Sequence, residues 1–449
     1  MQKLKVHENK RYLMHEDGTP FFYLGDTAWD LFQRLSREEM EYYFSVRAAQ
    51  DFTVIQCILL NGTEPFSWKN KIGRYALKAP YDSFDYNEEW WENVDFALDC
   101  AEKYGLYLGL LPMWNDKYKD PDSTLFTGYD ASYEYGKYIG DRFKDKENII
   151  WILGGDVTVA PHMDVIFDGL AAGIKAGERE DNHHLMTFHP RGNSDAITEI
   201  GGDKDYLDFL ASQSGHTMDY SYEPYQYFPP MRAVGKPYFD AEAHYEDHVA
   251  NWVAEYRTWD GADIRHGAYE SLFAGACGQT YGNPIIAFFL AEPVALAKCP
   301  YYIGNFAPDS HEQGGWQRAM YHEGAETLKY LKRLLTSRPY FDLRPAQEMV
   351  LNSDDDFLFG RISAICGKDH AFIYSPLGRE IEVDCTQIKA QYIRASWFNP
   401  RTGEEKEICY ISPRVAVFTP ETYGKGQDWV LVLDGGKRDW KEISHLVIE

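Results

Sequence analysis

Two stretches of this chain run from apolar residues into an acid. The first is Ile149-Ile150-Trp151-Ile152-Leu153-Gly154-Gly155-Asp156, and the second is Lys236-Pro237-Tyr238-Phe239-Asp240-Ala241-Glu242. Each reads as a strand that delivers a carboxylate to one rim of a parallel barrel, the rim where strand C-termini carry the chemistry. Two such groups in a chain rich in Trp and Tyr fit hydrolysis of a glycosidic bond. One carboxylate serves as nucleophile and one carboxylic acid protonates the departing oxygen. Retention of configuration predicts carboxyl groups about 5–5.5 Å apart, and a separation beyond about 6.5 Å points to inversion. Gly154 and Gly155 let backbone and substrate approach closely ahead of Asp156, although the same residues also describe a turn with a helix-capping Asp. Glu242 closes a Pro-initiated strand; its plainer reading is a surface acid in Ala-Glu-Ala-His.

Other side chains at strand ends are candidates for holding substrate. Asp26 follows Gly25 and could bind a sugar hydroxyl or cap the turn at Trp29. Glu64 and Asp116 stand in similar places. His189, His216 and His244 could donate to hydroxyls or orient a carboxylate, and Tyr245 could do so through its phenol. Trp29, Trp68 and Trp114 are flat enough to stack on sugar C–H faces, and Tyr281 lies at the last strand end. A core role competes for Trp29, and Trp90 and Trp91, at a helix start, read as packing.

Positioning these residues takes eight βα units. Strands are expected at Phe21–Leu24, Val54–Leu60, Leu106–Leu111, Ile149–Leu153, Leu185–Phe188, Phe209–Gln213, Pro237–Ala241 and from Gly278. Between them lie amphipathic stretches, with a capping box at Ser36-Arg37-Glu38-Glu39 and helices over Asn87–Ala101, Tyr133–Phe143, Met163–Ala176 and Trp259–Ala276. Strand and helix alternate over about 340 residues, which fits a (β/α)8 TIM barrel with long loops. From Met349 the texture changes to short strands and turns: Phe357–Phe359, Ala371–Tyr374, Ile393–Phe398 and Trp429–Leu433, with no helix of any length. The expected division is a barrel over 1–345 and a small antiparallel β-sandwich over 346–449.

Composition narrows the function further. A net charge of −25, without any basic run, argues against nucleic acid as partner. Seven scattered cysteines without a CxxC pair argue against a disulfide framework and a structural zinc; Cys57 and Cys277 read as buried thiols. No stretch is apolar enough to span a membrane, and Met1–His7 lacks an apolar signal core, so a cytoplasmic location is expected unless a leader has been trimmed away. The partner is an oligosaccharide or polysaccharide, and two carboxylates need neither cofactor nor metal. Two alternatives stay open. A metal-dependent TIM-barrel hydrolase would use His189 and His216, and a non-catalytic sugar-binding protein would keep the aromatics.

The chain resembles the apiosidase-like glycoside hydrolases, the group that includes glycoside hydrolase family 140. The resemblance rests on Phe22-Tyr23-Leu24-Gly25-Asp26-Thr27-Ala28-Trp29, Trp151-Ile152-Leu153-Gly154-Gly155-Asp156, Gln213-Ser214-Gly215-His216, Lys236 through Glu246, and Gly278-Gln279-Thr280-Tyr281-Gly282. In the second domain it rests on Trp397-Phe398-Asn399-Pro400-Arg401-Thr402-Gly403 and Gln427-Asp428-Trp429-Val430-Leu431. It implies a TIM barrel followed by a domain labelled collagen-binding, with Asp156 as acid/base, Glu242 as nucleophile and a pectic, apiose-linked glycan as substrate. The wider clan places a Glu after Asn at the fourth strand; this chain has the shorter Asp156 after Gly155.

Overall fold

The computed structural model describes residues 1–436 except 61–69, 72, 79–83, 115–127, 179–182, 219–223, 253–256, 291–314 and 356–358. Eight parallel strands form the barrel: β1 (Tyr23–Thr27), β2 (Val54–Leu60), β3 (Tyr107–Met113), β4 (Ile149–Val157), β5 (Met186–Pro190), β6 (Leu210–Gln213), β7 (Tyr238–Asp240) and β8 (Gly278–Tyr281). They are hydrogen-bonded in the order β5-β4-β3-β2-β1-β8-β7-β6, with the short strand Ser194–Asp195 antiparallel on β6. At the seam between β5 and β6, Asp208 closes the gap. Its N–H donates to Met186 O at 2.9 Å and its Oδ2 accepts from Met186 N at 2.8 Å.

Each strand is followed by a helix: α1 (Arg37–Ala49), α2 (Glu88–Lys103), α3 (Tyr129–Phe143), α4 (Asp164–Gly177), α5 (Ala196–Ile200), α6 (Pro224–Ala233), α7 (Gly261–Phe273) and α8 (Glu323–Thr336). The architecture is therefore the expected TIM barrel. The Ser36–Glu39 capping box forms, with both reciprocal bonds present. Helix α7 begins later than Trp259 because Asp260 caps it, accepting from Ala262 N and Asp263 N while Asp263 bonds back to Asp260 N. A three-stranded antiparallel sheet at Leu4–Val6, Leu13–His15 and Pro20–Phe21 precedes the barrel. It captures Phe21, so β1 starts two residues later than its apolar run indicated.

The C-terminal sandwich holds β9 (Arg344–Pro345), β10 (Ser363–Cys366), β11 (His370–Ser375), β12 (Ile381–Asp384), β13 (Tyr392–Phe398), β14 (Glu405–Ile411), β15 (Val415–Phe418) and β16 (Trp429–Gly436). Six strands pair as β9-β10-β11-β16-β13-β14, and β12 pairs with β15. The central strands of the main sheet are buried on both faces. Ala371, Ile373, Leu431 and Leu433 point into the sandwich interior, whereas Phe372, Tyr374, Val430 and Val432 join the core of the barrel. Burial on both faces explains the unbroken apolar run Trp429–Leu433, where a half-exposed strand would alternate. Tyr374 stacks on Tyr269 of α7 at 4.2 Å, and Asp428 receives Arg265 of the same helix through two bonds of 3.0 and 3.1 Å. The anticipated strand Phe357–Phe359 falls mostly outside the described residues. Cys57 and Cys277 are buried, and the six described cysteines are unpaired thiols.

The junction also holds a titratable group. Burial lifts the Glu270 carboxyl to about 7, against the nearby Arg361 charge and a bond from Ser363. Glu270 then binds its proton more tightly in the folded chain than in the unfolded one, where a glutamate titrates near about 4.3. Its stabilising contribution is complete below that value and is lost as pH rises through about 7, a change on the order of 3 kcal/mol. The buried histidines His244, His248 and His266, each lowered to about 3 by burial, act in the opposite direction below neutrality. They cancel in a comparison with Glu270→Gln. Unfolding free energies measured at about pH 5 and about pH 8 should therefore shift in favour of the variant as pH rises. A difference that stays constant across this range rules the assignment out.

Candidate active site

Strand β4 is buried along its length except at Asp156. Its last turn runs through Gly154 at φ 82°, Gly155 at φ 112° and Asp156 at φ 53°, three successive residues with left-handed backbone. Glycine is required twice by space as well as by φ. A Cβ on Gly154 would lie 2.4 Å from His189 O, and one on Gly155 would lie 2.9 Å from the Trp114 ring. Asp156 has no such exemption and holds strain of about 1 kcal/mol or more, the kind of backbone outlier that clusters at functional sites. The ladder with β5 shifts register between Gly154 and Val157, which turns Asp156 onto the rim. There its Oδ1 accepts from Gly192 N at 3.1 Å.

Glu242 stands two residues past the end of β7. Its strand alignment continues, because Ala241 N donates to Ser212 O at 2.8 Å and Glu242 O accepts from Gly215 N at 3.0 Å. The carboxylate is 6% exposed and sits between two imidazoles. His216 Nε2 bonds Oε1 at 3.2 Å. His189 Nε2 lies 3.2 Å from Oε2, an ion-pair contact off hydrogen-bond alignment. His189 is held from the other side, its Nδ1 donating to Pro190 O at 2.9 Å. Its ring meets the edge of Trp29 at 5.6 Å and Trp114 at 6.0 Å, and those two indoles touch each other at 4.9 Å. The barrel interior supports the strand end as well, with Gln56 Nε2 donating to Ala241 O at 2.9 Å.

The two carboxyls are displaced in opposite directions. Burial raises Asp156, and the negative charge of Glu242 raises it further against the pull of His189 and His216. Burial also pushes Glu242 upward, but the close approach of His189 and the hydrogen bond and charge of His216 outweigh it, and the net displacement is well below the carboxylate range. The two carboxyls thus differ in proton affinity, Asp156 displaced upward and Glu242 downward from the ordinary carboxylate range.

The remaining candidates divide by direction. His244 and Tyr245 belong to the rim cluster. His244 Nδ1 bonds Gly215 O at 2.5 Å, its ring stacks flat on Trp259 at 4.0 Å, and Tyr245 packs edge-on to His216 at 4.4 Å. Trp29 is buried among the barrel residues, and Trp114 is partly open. Asp26 and Tyr281 face the helix layer instead. Asp26 is bonded by Arg47 of α1 at 2.6 Å and by the Tyr43 hydroxyl, while the Tyr281 hydroxyl donates to Glu246 at 2.7 Å. Glu246 in turn accepts from Gly324 N at the start of α8. Glu64, Trp68 and Asp116 lie outside the described residues. Trp90 and Trp91 are buried, as their packing role requires.

Two residues near the site escaped the sequence reading. His248 stacks on His216 at 4.5 Å, and Trp259 backs His244. Both belong to the connection between β7 and α7, paired through the bridge Val249–Thr258, which no spacing announces. His189 and His216, the ligands of a metal-dependent alternative, both aim Nε2 at Glu242. Among the described residues no group of three or more His, Cys, Asp or Glu is arranged to hold a metal ion.

Residues 7–342 match the family model "Apiosidase-like, catalytic domain", and residues 345–434 match "Putative collagen-binding domain of a collagenase". No curated protein sequence matches. Among solved structures, one titled "Glycoside hydrolase" shares 31% identity at a TM-score of 0.86, covering 98% of both chains. A glycoside hydrolase family 5 structure from Bacteroides vulgatus shares 30% identity at a TM-score of 0.87, covering 98% of this chain and 94% of that one.

Proposed function

We propose, for a chain that belongs to the apiosidase-like family and is a glycoside hydrolase, that it cleaves with net retention through Glu242 as nucleophile and Asp156 as acid/base. The observation that carries this reading is placement: Glu242 lies between His216 and His189, each Nε2 3.2 Å from a carboxylate oxygen, while Asp156 stands at the β4–β5 register shift; the opposite displacement of the two carboxyls agrees with it. Environments that push two titratable groups apart assign the acid and the base. Glu242, held ionised by His189 and His216, attacks the anomeric carbon as the protonated Asp156 gives its proton to the leaving oxygen. Asp156, now a carboxylate, then takes a proton from water, and the oxygen of that water displaces Glu242 from the face the leaving group vacated, opposite the glycosyl ester.

For substrate we infer a plant cell-wall glycan of the pectic, apiose-bearing kind, from the name of the matched family. Trp114 and His244 are the described candidates for contacting the sugar, whereas Tyr245, 1% exposed, packs behind His216. The test is a panel of cell-wall oligosaccharides and aryl glycosides, with the first-formed anomer read by proton NMR. Retention is expected, with apiose-bearing glycans turned over faster than the others by about tenfold or more, the discrimination one well-recognised group supplies. An inverted first product would overturn Glu242 as nucleophile, and equal rates across the panel would overturn the substrate.

A further inference from the structure

We propose, resting on the assignment of Glu242 as nucleophile, that Arg257 is a positioning residue for that carboxylate and that the C-terminal sandwich holds it in place through Lys425. The contacts are continuous from one domain to the other. The sandwich loop at 424–428 grips the start of α7 twice. Asp428 takes the Arg265 fork, and Lys425 Nζ reaches Asp260 Oδ2 at 2.6 Å and Asp263 Oδ2 at 3.1 Å. Asp263 is 2% exposed and also receives both terminal nitrogens of Arg257, each at 2.8 Å. Two parallel bonds fix the plane of a guanidinium as well as its place.

That guanidinium lies over Trp259, 4.5 Å from the ring centre. Trp259 also lies flat on His244, with ring centres 4.0 Å apart and the planes parallel to within 1°. Burial, then the charges of His216 and Arg257, lower His244 to about 3, so the indole packs against a cation and a neutral ring. His244 bonds Gly215 O, while Gly215 N donates to Glu242 O. Gly215 is thus held through both its N–H and its carbonyl, and the next residue, His216, bonds Glu242 Oε1. His216 and the Glu242 backbone are the two points where this chain of contacts ends. A role in stability alone does not explain why the contacts converge there.

The test uses the full chain with ¹⁵N-labelled histidine. Arg257→Met keeps the apolar stem over Trp259 and removes the fork. We expect kcat to fall about tenfold with KM changed by less than about twofold, as for a group displaced by a fraction of an ångström. The His216 and His244 ring resonances should shift in the absence of substrate. Lys425→Met, on the surface, should move the same resonances in the same direction with a smaller loss of kcat, and it keeps the test available if Arg257→Met folds poorly. Arg257→Lys keeps the cation without the fork and should fall between wild type and Arg257→Met. Unchanged histidine resonances in Arg257→Met and Lys425→Met, or a kcat equal to wild type in both, would overturn the proposal. If wild type turned over no glycoside, the assignment of Glu242 would fail, while the resonances, read without substrate, would still decide the link to His216.

Discussion

Glu242→Gln is expected to lose turnover on every glycoside by a factor on the order of 10⁴ to 10⁶, the range seen when a nucleophile is removed from a covalent mechanism. The amide is isosteric but neutral, and it cannot form the glycosyl ester. It also leaves His189 and His216 facing an amide where they now face an anion. A sharper form of the measurement uses Glu242→Gly with azide. The small anion occupies the vacated space and attacks the anomeric carbon directly, so turnover returns with an inverted glycosyl azide as product. Glu242→Gln retaining a tenth or more of wild-type kcat would remove the residue from the mechanism. The wild-type acid limb should lie low, because the imidazoles hold Glu242 ionised below the ordinary carboxylate range.

Asp156→Asn separates the two halves of the reaction. Poor leaving groups need a proton, and activated aryl glycosides do not. The expected loss in kcat/KM is about 10² to 10⁴ for the former and far smaller for the latter. The sign of the pH effect follows from the same residue. Asp156 must be protonated for the first step, and burial beside Glu242 raises its affinity for that proton. Activity therefore extends to higher pH than an ordinary aspartate would allow and falls on the alkaline side as Asp156 ionises. In Asp156→Asn that alkaline limb should vanish from kcat/KM for activated substrates. Equal losses on both classes of leaving group, with the limb intact, would transfer the acid role to another group.

The barrel was legible because its strands announce themselves. Val54–Leu60 is an apolar run broken only by Gln56 and buried on both faces, and the observed strand has those same limits. Glycines and acids at strand ends marked the rim, so Asp156 and Glu242 could be proposed from their neighbours alone. Direction was less legible. Asp26 and Asp156 both follow a strand glycine, yet a bulge turns Asp156 to the rim while Asp26 points to Arg47, 21 residues away on α1. A partner in another element leaves no mark on the local pattern. The same holds for His248 and Trp259, which reach the site through an irregular connection. In the second domain β10, β12, β14 and β15 left little hydrophobic signal: β10 and β15 are four residues each, and β12 and β14 carry Glu, Lys or Asp among their apolar positions.

The sheet that surrenders one face to the barrel has an evolutionary consequence. A domain that keeps its own surface can be copied into new proteins as a cassette. This one cannot, since Phe372, Tyr374, Val430 and Val432 would meet water wherever they landed without their partner. Inheritance must then carry barrel and sandwich together, and drift at the junction must be matched across it. A lineage that changes Tyr374 is expected to change Tyr269 as well, and a recombination break near Pro345 is a scar that descendants would rarely survive.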